Sequence, residues 1–141
     1  MPENLRQKGA YVRVRYAETD KMGVVHHSSY VLWLEVGRVE WLRQRGMDYK
    51  DFEADGLALA VSRLNVNYRS ASFFDDELIV ETALTEAKSR RFCFGYKIWR
   101  LADEQLIAEA QTFHTPTNRE GRAVRCEGGW LDRLKSHQSQ L

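Results

Sequence analysis

The segment Tyr16-Ala17-Glu18-Thr19-Asp20-Lys21-Met22-Gly23-Val24-Val25-His26-His27-Ser28-Ser29-Tyr30 puts an acid, a glycine and two histidines ahead of a strongly apolar stretch. A carboxylate close to the free N–H groups of a helix start is a set that can attack and polarise a carbonyl. Each residue also has a plainer role. Asp20 suits a turn or a helix N-cap, because its side chain readily accepts bonds from nearby backbone N–H groups. His27 suits a ring hydrogen-bonded at the rim of a core, with His26 its neighbour. Gly23 suits a positive φ.

The elements that must position these groups follow from periodicity. Tyr11 to Tyr16 alternates, with Val12, Val14 and Tyr16 on one face and Arg13 and Arg15 on the other. This predicts a short strand with one wet face. Tyr30 to Arg45 reads as a helix whose apolar set, from Val31 and Leu32 through Trp33, Val36 and Trp41, is too wide for a surface stripe. Such a helix is expected to be enclosed, with Gly46 as its C-terminal cap. A helical or irregular piece follows at Asp48 to Asp55.

The rest reads as strands. Leu57, Leu59 and Val61 share one phase and Leu64, Val66 and Tyr68 the other, so a β-bulge or sharp bend is expected between Val61 and Leu64. Leu78, Val80, Thr82 and Leu84 alternate, and Phe92, Phe94, Tyr96 and Ile98 give the clearest strand pattern in the chain. Gln105 to Thr117 is the last strand. Glu86 to Arg91 and Ala102 to Glu104 are the connecting turns. Gly128-Gly129 precedes a short helix with Trp130, Leu131 and Leu134, and the polar tail beyond Ser136 is expected to be loose. Short connections imply antiparallel pairing. The fold class is therefore α+β, an antiparallel sheet of about five strands wrapped round one long central helix. Residues 1–141 read as one domain, with a core at about 10–120 and a short helix and tail after 128.

Composition excludes several function classes. A net charge of +1, with Lys and Arg scattered among Asp and Glu, gives no footprint for nucleic acid. No apolar run approaches the ~20 residues of a membrane span, and the polar opening Met1-Pro2-Glu3-Asn4-Leu5-Arg6 does not read as a signal peptide. Cys93 and Cys126 form neither a disulfide framework nor a metal site by spacing, so no metal is expected. The expected location is the cytoplasm.

The pattern Asp20-x-x-Gly23-Val24-Val25-His26-His27-x-x-Tyr30 resembles the 4-hydroxybenzoyl-CoA thioesterase family of hotdog-fold proteins, in particular its bacterial acyl-CoA thioesterase branch. Tyr16-Ala-Glu-Thr-Asp20, Glu35 and Arg38 on the helix, Tyr68-Arg69-Ser70-Ala71 and Asp75-Asp76-Glu77-Leu78 extend the likeness, which covers roughly residues 10 to 120. The resemblance implies hydrolysis of an acyl-CoA thioester. Asp20 is then catalytic, either as nucleophile on the carbonyl or as base for water, and the His27 N–H binds the thioester oxygen. Gly23, Val24, Val25, His26 and Tyr30 fall at substrate-binding positions, with His26 shaping the acyl pocket. Two departures stand out: Lys21 and Met22 follow the acid where family members often have a small residue or proline, and His26 stands where an aromatic residue is frequent.

Other residues stay open between two readings. Glu35 and Arg38 suit a helical ion pair, although a second branch of hotdog thioesterases places its catalytic carboxylate on this helix. Lys88, Arg90 and Arg91 read either as a solvated basic hairpin or as a site for coenzyme A phosphates. His114 reads as structural. Met22, Trp33, Phe73 and Phe74 are candidates for the pocket wall. Coenzyme A enters as part of the substrate, and no cofactor is expected. Two other readings compete: a non-catalytic acyl-CoA-binding hotdog module, and a dehydratase using His26 and Glu40, which lacks the proline- and glycine-rich loop of that class. Exposed strand edges and the family both imply a homodimer or homotetramer.

Overall fold

The computed structural model of the chain describes residues 4–141, so the first three positions of the polar opening lie outside the described residues. After a 3-10 turn at Leu5–Gln7 come strand β1 (Ala10–Arg13), a second 3-10 turn (Tyr16–Glu18) and helix α1 (Ser29–Gln44). Helix α2 (Tyr49–Ala54) leads to strands β2 (Ala58–Tyr68), β3 (Glu77–Lys88), β4 (Arg91–Arg100) and β5 (Leu106–Thr117), and helix α3 is Gly129–Ser136. The strands form one five-stranded sheet in the order β1-β3-β4-β5-β2. Every pairing is antiparallel.

The alternation in β4 does what it predicts. Phe92, Phe94, Tyr96 and Ile98 are buried on the face toward α1, where Trp41 meets Phe94 edge to face at 5.6 Å. β3 turns Leu78, Val80 and Leu84 to the same face. The helix crosses β3 at Gly37, where a Cβ would lie 2.5 Å from Val80 Cγ1 and 2.7 Å from Thr82 Oγ1. Only glycine allows that approach.

α1 ends as the sequence implies. The Gly46 N–H bonds Arg43 C=O, the Met47 N–H bonds Leu42 C=O, and Gly46 has φ 73°. This is a Schellman closure, and it leads buried Met47 into the core. The expected slip in β2 is a register shift between Val61 and Arg63.

Three expectations need correction. β1 stops at Arg13, and Tyr16 leaves the strand phase for an exposed 3-10 turn. α1 is not enclosed within one chain: Tyr30, Trp33, Leu34 and Trp41 are buried, but Val31, Leu32 and Val36 are exposed. The tail is not loose. Beyond a register shift between Leu84 and Glu86, the end of β3 has no strand on its β1 side. The Ser139 N–H bonds Leu84 C=O at 3.0 Å, and the side-chain amides of Gln138 and Gln140 both bond Thr85 C=O at 3.2 Å. The tail thus caps an otherwise open strand edge. Removing residues 137–141 is expected to lower unfolding stability by about 2 kcal/mol, from the lost hydrogen bonds, and to promote self-association; denaturant melts with light scattering check both.

One polar chain runs through the apolar interior. Arg38 Nη1 donates to Tyr96 OH (3.1 Å), which pairs with Thr112 Oγ1 (2.7 Å). Thr112 Oγ1 meets His114 Nε2 (2.8 Å), and His114 Nδ1 meets Leu59 C=O (3.2 Å). Arginine only donates and a carbonyl only accepts, so both ends of the chain have a fixed sense. Nδ1 therefore carries a proton, and burial, which lowers the pKa of the ring to about 4, leaves Nε2 unprotonated at neutral pH. The role of His114 is structural, as expected.

Candidate active site

The acid sits on a turn that the backbone fixes twice. The Asp20 N–H bonds Val24 C=O at 2.8 Å, and the Gly23 N–H bonds Asp20 C=O at 3.1 Å. Gly23 has φ 77°, which the return of the chain requires. Asp20 Oδ1 accepts the N–H groups of Met22 (2.8 Å) and Val24 (3.2 Å). The turn role of Asp20 is thus present, but on one oxygen. Oδ2 has no hydrogen-bond partner among the described residues, and the side chain is exposed.

This turn is stitched to the loop between β2 and β3. The Val25 N–H bonds Ser72 C=O (2.9 Å), the Phe74 N–H bonds Gly23 C=O (3.2 Å), and Val24 bridges Phe73. Arg100 holds that loop from below, bonding Ala71 C=O (3.0 Å) and pairing with Asp76 and Asp103.

The helix start is organised by His26. Its backbone C=O accepts the Ser29 N–H (3.0 Å), and its Nδ1 accepts the Ser28 N–H at 3.2 Å with Ser28 Oγ at 2.7 Å. The imidazole therefore caps the helix where Ser28, the N-cap residue, makes no side-chain cap of its own. The His27 ring stacks on it at 4.3 Å. Among the described residues the His27 backbone N–H has no acceptor, while its C=O takes a hydrogen bond from Tyr68 OH at 3.0 Å. A free N–H at the positive end of a 16-residue helix is a ready donor for a developing negative oxygen.

Behind this N–H lies an open cleft of about 300 Å³ lined by Val24, Val25, His27, Tyr30 and Tyr68 with Arg69, Ser70 and Ala71. Tyr30 is buried, and its hydroxyl pairs with Ser72 Oγ at 2.7 Å. Burial pushes its phenol up from the usual tyrosine range, so it stays protonated at neutral pH. Val24, Val25, His27 and Tyr30 thus share one cleft, with Gly23 in the turn beside it and His26 stacked at its rim.

Lys88, Arg90 and Arg91 are not there. Their hairpin lies at the far end of the 12-residue β3 from the Phe73–Asp76 loop, about 36 Å along the strand. Lys88 and Arg91 both pair with Glu86. Within one chain, a basic site mouth is therefore not formed by this hairpin. Glu35 makes no ion pair with Arg38, whose guanidinium turns inward to Tyr96. Glu40 pairs with Arg43 rather than approaching His26. Trp33 is a core residue, whereas Met22, Phe73 and Phe74 stand exposed around the Asp20 turn.

Two groups were missed by sequence reasoning. Tyr68 reads as the end of a strand and as part of the family likeness, and nothing local shows that its hydroxyl reaches His27. Glu18 is a buried carboxylate, 6% exposed, that takes Arg15 N–H at 2.7 Å and Trp33 Nε1–H at 2.9 Å. Burial alone would raise its pKa; those donors and the Arg15 guanidinium outweigh it and hold the group below the usual glutamate range. An acid two residues before another acid was the available signal.

A single helix held against a five-stranded antiparallel sheet, with an acid-bearing turn ahead of the helix start, is the hotdog fold. The sequence matches the model of the thioesterase-like superfamily over residues 14–135. It is 34% identical to the acyl-CoA thioester hydrolase YbgC of Escherichia coli O157:H7 over 71% of this chain and 74% of that one. A DHNA-CoA thioesterase from Staphylococcus aureus superposes with a TM-score of 0.85 at 28% identity, covering 90% of this chain and 87% of that one. A hypothetical protein, TT1821, from Thermus thermophilus gives 0.83 at 35% identity over 92% and 99%. The chain belongs to the thioesterase-like superfamily.

Proposed function

We propose that this chain, acting as one domain, hydrolyses an acyl-CoA thioester to a free acid and coenzyme A. The observation that carries the reading is the pair of free groups flanking one turn: Asp20 Oδ2 and the His27 N–H at the helix start. The carbonyl oxygen accepts from the His27 N–H while the carbonyl carbon faces Asp20. In the base route Asp20 removes a proton from water as its oxygen adds to the carbon, the tetrahedral adduct expels the thiolate with cleavage of the C–S bond, and the proton on Asp20 passes to the thiolate. In the nucleophile route Oδ2 adds directly, thiolate leaves, and water cleaves the mixed anhydride. Both routes end at the same products. The thiolate leaves readily, since a thiol has a pKa of about 8.5. No cofactor is invoked. Two relatives named an acyl-CoA thioester hydrolase and a DHNA-CoA thioesterase support coenzyme A as the carrier.

The functional unit in this reading is a homodimer or a homotetramer. β2 is an edge strand on which Val61, Leu64 and Tyr68 are exposed, and α1 leaves Val31, Leu32 and Val36 exposed as well. Pairing of two β2 edges would satisfy the strand and cover this apolar surface. A second copy is also the route by which Lys88, Arg90 and Arg91 reach a site mouth. Light scattering at micromolar concentration is expected to give at least a dimer; a monomer would contradict this part. The cytoplasm is the proposed location, consistent with two free, buried cysteines, Cys93 and Cys126.

The test is a panel of aliphatic and aromatic acyl-CoAs with free thiol measured over time. Turnover with thiol release supports the reading. Tight binding without turnover would favour a binding module, and water loss from 3-hydroxyacyl thioesters would favour a dehydratase.

A further inference from the structure

Glu18 holds together the two halves of the candidate site, and its bonds explain how. Its Oε1 takes the Arg15 N–H at 2.7 Å, and its Oε2 takes the Trp33 indole N–H at 2.9 Å and Arg15 Nη2 at 3.4 Å. Trp33 is on the second turn of α1 and is itself buried. The Glu18 backbone C=O in turn accepts the His26 N–H at 2.8 Å and the Ser29 Oγ–H at 3.2 Å. One residue therefore bonds the turn before Asp20, the residue immediately before the His27 N–H, and the body of the helix. Asp20 is two positions further along the chain. Cutting the side-chain anchor frees the carbonyl to shift, and with it the spacing between acid and N–H.

We propose that Glu18 is a positioning residue that sets the distance between the Asp20 carboxylate and the His27 N–H through its buried bond to Trp33. The proposal rests on the thioesterase reading of that pair. Its chemistry needs an acceptor at both oxygens, because the Arg15 and Trp33 N–H groups approach different ones. An amide has one oxygen and one NH₂, so glutamine must set its NH₂ against one of these donors whichever way it turns.

The test compares Glu18→Gln, Asp20→Asn and the double variant with wild type, on an acyl-CoA that wild type hydrolyses. Misplacement of about 1 Å at a reacting centre lowers rate on the order of 100-fold, so Glu18→Gln is expected to lower kcat by about 10- to 100-fold. KM should stay within about threefold, because the cleft residues do not bond Glu18. In the Asp20→Asn background the same change should cost less than about threefold, since the group being positioned is already lost. Unchanged kcat in Glu18→Gln, or an equal loss in both backgrounds, overturns the proposal. If Glu18→Gln does not fold, Trp33→Phe removes the indole donor while keeping a ring; lowered kcat at steady KM supports the proposal, and wild-type kcat overturns it. Near-wild-type activity of Asp20→Asn alone would sink the role of Asp20. The positioning role of Glu18 falls with it, whereas collapsed Asp20→Asn activity beside unchanged Glu18→Gln activity overturns the positioning role alone.

Discussion

Asp20→Asn is expected to lower kcat by about 100- to 10,000-fold while KM changes little. The geometry makes asparagine the informative choice. Its side-chain oxygen can still accept the Met22 and Val24 N–H groups that Asp20 Oδ1 takes at 2.8 and 3.2 Å. The turn then survives and only the free, charged oxygen is lost. Alanine would remove both, mixing a structural cost with a chemical one. Unchanged circular dichroism and melting with collapsed turnover is therefore the expected pair of results. Turnover near wild type would mean that Asp20 is a turn residue and no more. Running the wild-type reaction in ¹⁸O-labelled water under single-turnover conditions, with hydroxylamine trapping alongside, separates the two routes: label in Asp20 or a trapped anhydride indicates the nucleophile, and label in the acid product alone with no trapped anhydride indicates the base.

The second large effect is on stability in acid, and it comes from His114. Burial lowers its pKa from 6.5 to about 4, with the positive Arg38 adding to the shift. In the folded chain the ring accepts Thr112 Oγ1 at Nε2 and donates to Leu59 C=O, so protonation breaks a matched donor–acceptor series. Between pH 6.5 and 4 the unfolded chain carries the proton and the folded chain does not. Stability therefore rises with pH across that window and is lost as pH falls through it. The loss is on the order of 3 kcal/mol by the linkage relation. Urea melts at pH 7.5, 5.5 and 4.5 should show it. His114→Gln, which cannot titrate, should be less stable at neutral pH but flatter across the same interval. Equal slopes for wild type and variant would show that His114 is not the group responsible.

Where local chemistry decides the structure, it was legible from residues alone. α1 extends from Ser29 to Gln44 against a reading of Tyr30 to Arg45, because a dense apolar run ending at a glycine leaves little choice. The alternating aromatics of β4 and the phase slip of β2 were equally plain. What failed depended on distant partners. Tyr16 continues the alternation of β1, yet Glu18 captures the Arg15 N–H and pulls the chain into a 3-10 turn. The ion pair of Glu35 with Arg38 is good helical spacing, but a buried Tyr96 hydroxyl across the core competes for the guanidinium and wins. The tail carries one apolar residue, Leu141, among polar ones and binds through the carbonyls of Leu84 and Thr85, at a register shift that no residue type announces. The acid, the glycine and His27 were visible because their spacing is local. Tyr68 and Glu18 were not, since one reaches the site from the end of a distant strand and the other works through a tryptophan on the helix.

The division of labour between Asp20 and the helix start is most directly tested by a crystal structure with a non-hydrolysable acyl-CoA analogue. The predicted result is the carbonyl oxygen within about 2.7–3.1 Å of the His27 backbone nitrogen, with Asp20 Oδ2 within about 3–3.5 Å of the carbonyl carbon or separated from it by one water. An analogue bound with its carbonyl away from His27, or with Asp20 still engaged only in its own turn, would contradict the assignment.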